Sequence, residues 1–332
     1  MAEQDPLASI LTPELLDAVV QHHIPWLKQP KVGFTDAAAW YFRGRYDGQG
    51  FHRICYSALK RISEIGLENI PDLIRYLPPP EDVAFPARAL GLQILIDQGP
   101  RMLFHGVDGR WTNGYFDIFS EKLARRLLGL ANLLRPDALQ RWLDAGYTFE
   151  HWVVSRFWFI APIAHSEDLQ NHKRMLELVD ELRIAVERHS ATSDPYRASR
   201  DRETLVDVTM FSRRGIEGPP KEDSLSMQDF AYWFMMLIDC HYPIIRTYGR
   251  YPYRNGILGR VSTEQEEQFL VDTNGFGCVD PETEEKIRQD VLAGRWTPLG
   301  AGEQQGIAGL VRDLKSLTSA IPPLVGASPP KP

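Results

Sequence analysis

Between Asp239 and Arg260 the chain reads DCHYPIIRTYGRYPYRNGILGR. Four arginines (Arg246, Arg250, Arg254, Arg260) are interleaved there with four tyrosines (Tyr242, Tyr248, Tyr251, Tyr253), and no acidic residue falls between Asp239 and Glu264. A guanidinium is permanently charged and offers a rigid fork of donors that matches carboxylate or phosphate oxygens. Two outcomes follow: an anion pocket in which Arg246, Arg250 and Arg254 hold a substrate, or ion pairs that lock loops together. His241 opens the stretch from the apolar stripe of the preceding helix. It is either a satisfied core residue or, buried near arginines and kept neutral, a base.

Other segments carry further candidates. His165-Ser166-Glu167-Asp168 precedes a long amphipathic helix, where a hydroxyl and two carboxylates suit capping. His165 and Asp168 are also candidates for catalysis, whereas a lone His-x-x-Asp is a weak metal signal and no metal site is expected. Asp97 and Arg101 lie four residues apart, a spacing that pairs them if their helix continues, but Gly99 and Pro100 should break it. Trp152 lies on a wide aromatic helix face and Phe234 on the stripe leading to His241. Such faces form core or, around a site, the walls of an apolar cavity.

Composition narrows the classes. The 332 residues are 43% hydrophobic, enough for one large core, and the net charge of -7 argues against a nucleic-acid partner, which needs a basic face. Cys55, Cys240 and Cys278 are far apart and show neither disulfide nor zinc spacing. The N-terminus lacks a basic stretch followed by a long apolar one, and no run of about eighteen apolar residues occurs. A cytoplasmic protein without a membrane segment is expected.

The elements that must position these residues are helices. Thr12-Pro13 is an N-cap followed by proline at the first helical position. Apolar residues recur at helical spacing from Ile54 to Ile65, and Pro71 and Pro86 each open a helix. Further amphipathic segments run over 119–134, over 148–160 until Pro162 ends the helix, and over 169–189. Residues 190–203 read as a polar linker and 215–224 as a loop. Ser226 starts a helix running through His241 to Ile245 with a kink at Pro243; a loop spans 249–259, and a capping box at Ser262-Thr263-Glu264-Gln265 starts the next. Asp280-Pro281 opens another, 305–317 reads as a last helix, and the Pro-rich tail 321–332 as disordered. No strand periodicity appears. The expectation is an all-α protein of about ten helices forming a single domain over 1–320.

Three blocks then identify a resemblance. ALGLQILIDQGPRMLFHG (89–106), FIAPIAHSEDLQNHKRMLELV (159–179) and HYPIIRTYGRYPYRNGILGRVSTEQEEQFL (241–270) resemble, in order, the signature blocks of the bacterial family called domain of unknown function 924, over a core of 86–277. The resemblance implies a tetratricopeptide-like helical array and a polar set comprising Asp97, Gln98, Arg101, His165, Glu167, Asp168, His241, Arg246, Arg250, Arg254 and Asn255. Gly99, Met102 and Tyr253 depart from the family pattern, Tyr253 standing where it has histidine.

Walker, GxGxxG, HExxH and GxSxG motifs are all missing. Three readings stay open. The first is a cofactor-independent enzyme on a small hydrophobic carboxylate- or carbonyl-bearing molecule, an isomerase or cyclase that extends to a Diels-Alder-like closure, with His241, His165, Asp168 and Tyr253 catalytic and Asp97, Arg101, Arg246, Arg250, Arg254, Trp152 and Phe234 binding. The second is a helical-repeat adaptor for a peptide or protein. The third is a small-molecule hydrolase.

Overall fold

The computed structural model describes residue 5 and residues 7–26, 32–222 and 224–301. Both the expected helix over 305–317 and the tail 321–332 lie outside these. Fourteen α-helices of four or more residues occur among the described residues, and no strand. In chain order they are α1 Pro13–His23, α2 Phe34–Phe42, α3 Gly48–Ser63, α4 Phe85–Leu103, α5 Asp117–Leu128, α6 Leu139–Asp144 and α7 Phe149–Ala164. The second half comprises α8 Leu169–Ser190, α9 Met210–Glu217, α10 Met227–Asp239, α11 Tyr242–Tyr248, α12 Asn255–Leu258, α13 Glu264–Asp272 and α14 Pro281–Leu292.

The helices close around α4. Every residue from Ala89 to Pro100 is buried, and α1, α3, α5 and α7 pack against it. A helix apolar on all sides belongs at the centre of a core. Close approach to α1 is possible because residue 91 is glycine: a Cβ there would lie 2.3 Å from the carbonyl oxygen of Leu16.

Two prolines do not end helices as the sequence suggests. Pro100 lies inside α4, which continues to Leu103, and Pro162 lies inside α7, which continues to Ala164. In each case only a short final stretch follows, so a single missing N–H and a local bend are outweighed by packing on every side. The backbone N–H of Phe104 still donates to Pro100 O at 2.9 Å, closing the last turn. This continuation places Arg101 one turn beyond Asp97.

Other expectations change for similar reasons. Around Pro71 there are two 3-10 turns, Leu67–Asn69 and Leu73–Tyr76, in place of an α-helix. The amphipathic segment over 119–134 is helical only to Leu128, and α6 and α9 arise where no helix was expected. Helix α10 stops at Asp239 and Pro243 begins the separate α11, so His241 sits at a junction between helices. The capping box falls one residue later, with Thr263 as cap and Glu266 returning to its N–H.

Residues 190–203 are no linker. Buried Arg183 donates from Nε to Asp194 at 2.6 Å and from Nη2 to Asp239 at 2.6 Å, and it also pairs with Asp180. Arg200 joins the same Asp239 from Nε at 2.7 Å. This cluster ties α8, the segment after it and the C-terminal end of α10 together, just ahead of His241.

Replacing Gly91 by alanine should lower stability by about 3 kcal/mol, because the main chain of α1 must move rather than a side chain. Gly48→Ala, at a helix position where a Cβ meets nothing within 4 Å, should leave the urea midpoint nearly unchanged. Equal midpoints for the two variants would contradict this account of the α1–α4 contact.

Candidate functional site

Asp97 lies in the last turns of α4 and is 1% exposed. Its Oδ1 accepts from His165 Nδ1 at 2.9 Å and from Ser120 Oγ at 3.2 Å, and its Oδ2 accepts from Gln98 Nε2 at 2.6 Å. Burial by itself would raise its pKa, but the facing His165 and Arg101 outweigh that and hold the carboxyl well below the usual range. An ionised carboxylate can only accept, so the Nδ1 of His165 carries the hydrogen. The Nε2 of His165 has no hydrogen-bond partner among the described residues and is not among the sealed polar atoms. Burial, reinforced by Arg101, lowers the pKa of His165 against the opposing pull of Asp97. The imidazole is therefore neutral at pH 7, with its lone pair at Nε2.

Two arginines frame this dyad. Arg101 donates from Nη1 to the carbonyl of Asp97 at 2.9 Å and from Nη2 to Asp117 Oδ1 at 2.6 Å. Arg254 donates from Nη1 to the carbonyl of His165 at 2.9 Å, lies 3.3 Å from Asp117 Oδ2 and stacks 4.3 Å from the ring centroid of Tyr251. Two guanidinium and two carboxylate charges balance. The side chains of His165 and Arg101 keep 18% and 19% exposure, so the dyad is open to solvent.

Aromatic groups lie beside this frame. Tyr253 is half-buried; its hydroxyl has no partner among the described residues, and burial pushes its pKa up to about 12, so it stays a donor. Its ring centroid lies 5.2 Å from Tyr251 and 6.3 Å from Phe211 on α9. Phe211 in turn covers His241 at 4.1 Å. His241 Nδ1 donates to the carbonyls of Leu237 and Ile238, each at 3.1 Å, and burial, with His165 and His172 nearby, lowers its pKa to about 3.

The remaining expected site residues lie elsewhere. Arg250 is occupied by Glu266 at 2.5 and 2.6 Å and by the carbonyl of Val261 at 2.9 Å, a pairing that holds Glu266 down at about 2. Arg246 is exposed, 5.6 Å from the Tyr242 ring. Asp168 caps α8 by accepting from Gln170 N at 2.7 Å and is exposed. Trp152 donates to the carbonyl of Asp137 at 2.7 Å near the start of α7, about 20 Å along the helix from His165. Phe234 packs 4.3 Å from Phe157 in the interior. Conversely, Asp117 and Phe211 were missed. Asp117 follows an irregular π-turn, and Phe211 occupies a short helix with no motif around it.

No group of three potential metal ligands occurs among the described residues. Three surface clefts of about 350, 540 and 490 Å³, lined around Asp17 and Tyr147, Leu73 and Arg126, and Trp111 and Trp296, include none of the residues of the dyad or its frame.

A family model described as a bacterial protein of unknown function, DUF924, matches residues 79–274. The chain belongs to this family. The matched region contains Asp97, Arg101, Asp117, His165, Phe211, His241, Tyr253 and Arg254, so the whole dyad cluster lies in the DUF924 part of the chain. No curated protein and no solved structure matches it. No helix among the described residues is long and apolar enough to cross a membrane.

The buried histidines of this DUF924 protein make its stability pH-dependent. His172 is lowered to about 4, and His23 and His241 to about 3, chiefly by burial. Below the unfolded value near 6.5 the unfolded chain takes up protons that the folded one refuses, so stability falls as pH drops from 6.5 towards these values. The loss should be on the order of 2 kcal/mol per histidine at pH 5. Urea melts at pH 7 and 5 should show this fall, and His23→Gln should flatten it by one histidine's share.

Proposed function

We propose that the protein is an enzyme that moves a proton within a small carbonyl-bearing molecule, an isomerase whose own side chains supply the chemistry. The observation that carries this reading is the His165–Asp97 pair at 2.9 Å, with His165 18% exposed and its Nε2 left open to solvent. His165 is the general base. Asp97 fixes its tautomer and stabilises the imidazolium that forms. The Tyr253 hydroxyl, protonated at pH 7 because its pKa is raised to about 12, donates to the carbonyl oxygen as charge develops there.

Charge balance favours a carbonyl over a carboxylate as the group held. Arg254 and Arg101 are already shared with Asp117, and Arg250 with Glu266, so no guanidinium fork beside the dyad is left to clamp an anion. The aromatic rings of Phe211 and Tyr253 suit an apolar remainder. An adaptor would instead use a long open groove, whereas these helices close around α4.

Purified protein should convert a metabolite that accumulates in a strain lacking it into a product of identical mass. His165→Gln should lower kcat by about 100-fold or more in protein that retains its helical circular dichroism, and Tyr253→Phe should lower kcat with little change in KM. The acid limb of kcat/KM should fall below pH 6.5, because the pKa of His165 is lowered. A product heavier by one water would replace this reading with hydrolysis. Full activity in His165→Gln would exclude His165 as the base.

A further inference from the structure

His241 differs from His165 in one decisive way. The hydrogen of His165 Nδ1 goes to a carboxylate, which lets the ring accept a proton and stay paired. The hydrogen of His241 Nδ1 goes to two main-chain carbonyls, of Leu237 and Ile238, at 3.1 Å each. Carbonyl oxygens only accept, so Nδ1 must keep its hydrogen and Nε2 is a bare acceptor. That Nε2 has no partner among the described residues, is not sealed from solvent, and belongs to a side chain only 9% exposed. Through Phe211, Tyr251 and Tyr253 the ring adjoins Arg254 of the dyad's frame.

A ligand docking over the dyad and His241 displaces whatever solvent serves that lone pair. An acceptor held rigidly beneath an aromatic cover must then be met by an O–H or N–H, or it is left unpaired in a dry place. We propose that His241 selects a substrate carrying a hydroxyl next to its carbonyl, so that the reaction is the interconversion of α-hydroxy carbonyl isomers. This rests on the proton-transfer reading of the His165–Asp97 pair.

The step balances without an added reductant or oxidant. His165 Nε2 takes the hydrogen from the carbon bearing the hydroxyl, that bond pair forms the carbon–carbon double bond, and the carbonyl oxygen takes the proton of Tyr253. An enediol results. The protonated His165 returns its hydrogen to the former carbonyl carbon while Tyr253 recovers a proton from the original hydroxyl oxygen, which becomes the new carbonyl. Until it passes to Tyr253 the hydroxyl hydrogen is held against His241 Nε2. His241 thus binds and orients, whereas His165 carries the carbon-bound proton.

The test uses two probes of similar size, 2-hydroxyacetophenone and propiophenone, with exchange of the hydrogens next to the carbonyl followed by NMR in heavy water. Each enzymatic rate is divided by the rate that free imidazole gives for the same ketone, which removes the difference in intrinsic acidity. The parent protein should favour the hydroxy ketone by about tenfold or more, and His241→Phe, which keeps a planar ring but removes the acceptor, should abolish that preference while exchange persists. Equal normalised rates in the parent protein would overturn the assignment of His241 and leave the base intact, even where His241→Phe fails to fold. A preference that survives His241→Phe would also overturn it. No exchange with either ketone, in a protein that retains its helical circular dichroism, would overturn the proton-transfer reading and this inference with it.

Discussion

A buried carboxylate on a central helix is the constraint on which the rest of this structure depends. Asp97 cannot be desolvated in its ionised form unless donors surround it. They come from α4 itself through Gln98, from α5 through Ser120, and from the C-terminal cap of α7 through His165. Three helices are thereby held in one relative arrangement by hydrogen bonds to a single side chain. The same bonds orient an imidazole, so the requirement that stabilises the fold also builds the reactive pair. Helix α4 has to continue through Pro100 for this to work, because Arg101 then comes within 3.4 Å of the Asp97 carboxylate and reaches Asp117.

The arginine- and tyrosine-rich stretch acts mainly as a clasp. Arg254 joins Asp117, Arg250 joins Glu266, and Arg260 joins Glu167, each linking the loop after α11 to a different part of the chain. The tyrosines are divided in role. Tyr251 is fully buried, with its hydroxyl donating to the carbonyl of Ala164 and its backbone N–H donating to Glu167 at 2.9 Å. Tyr253, two residues on and half-buried, keeps a hydroxyl with no partner among the described residues. Fixing the loop from both sides lets one of these side chains be structural and the next remain available for a ligand.

Two buried histidines with the same composition become different reagents through the partners of their Nδ1 atoms. The carboxylate beside His165 compensates a proton arriving at Nε2, while the carbonyls beside His241 and its deeper burial do not. Neither property belongs to histidine as such.

Much of this was legible in the sequence because it depends on local pattern. Helical spacing and N-caps at Thr12 and Asp280 point to an all-α chain, since caps and periodicity act within a few residues. The three motif blocks pick out Asp97, His165, His241 and Arg254 as residues with more than packing to do. What they cannot tell is which charges meet. Arg250 and Arg254 look alike as candidates for an anion clamp, and only the fold brings Glu266 to one and Asp117 to the other. Proline within α4 and α7 likewise reads as a break, because the local preference is visible and the surrounding packing that overrides it is not. Pairing across distant segments, and with it the protonation of each histidine, is decided by tertiary structure, since the energy of a buried charge is set by neighbours in space rather than along the chain.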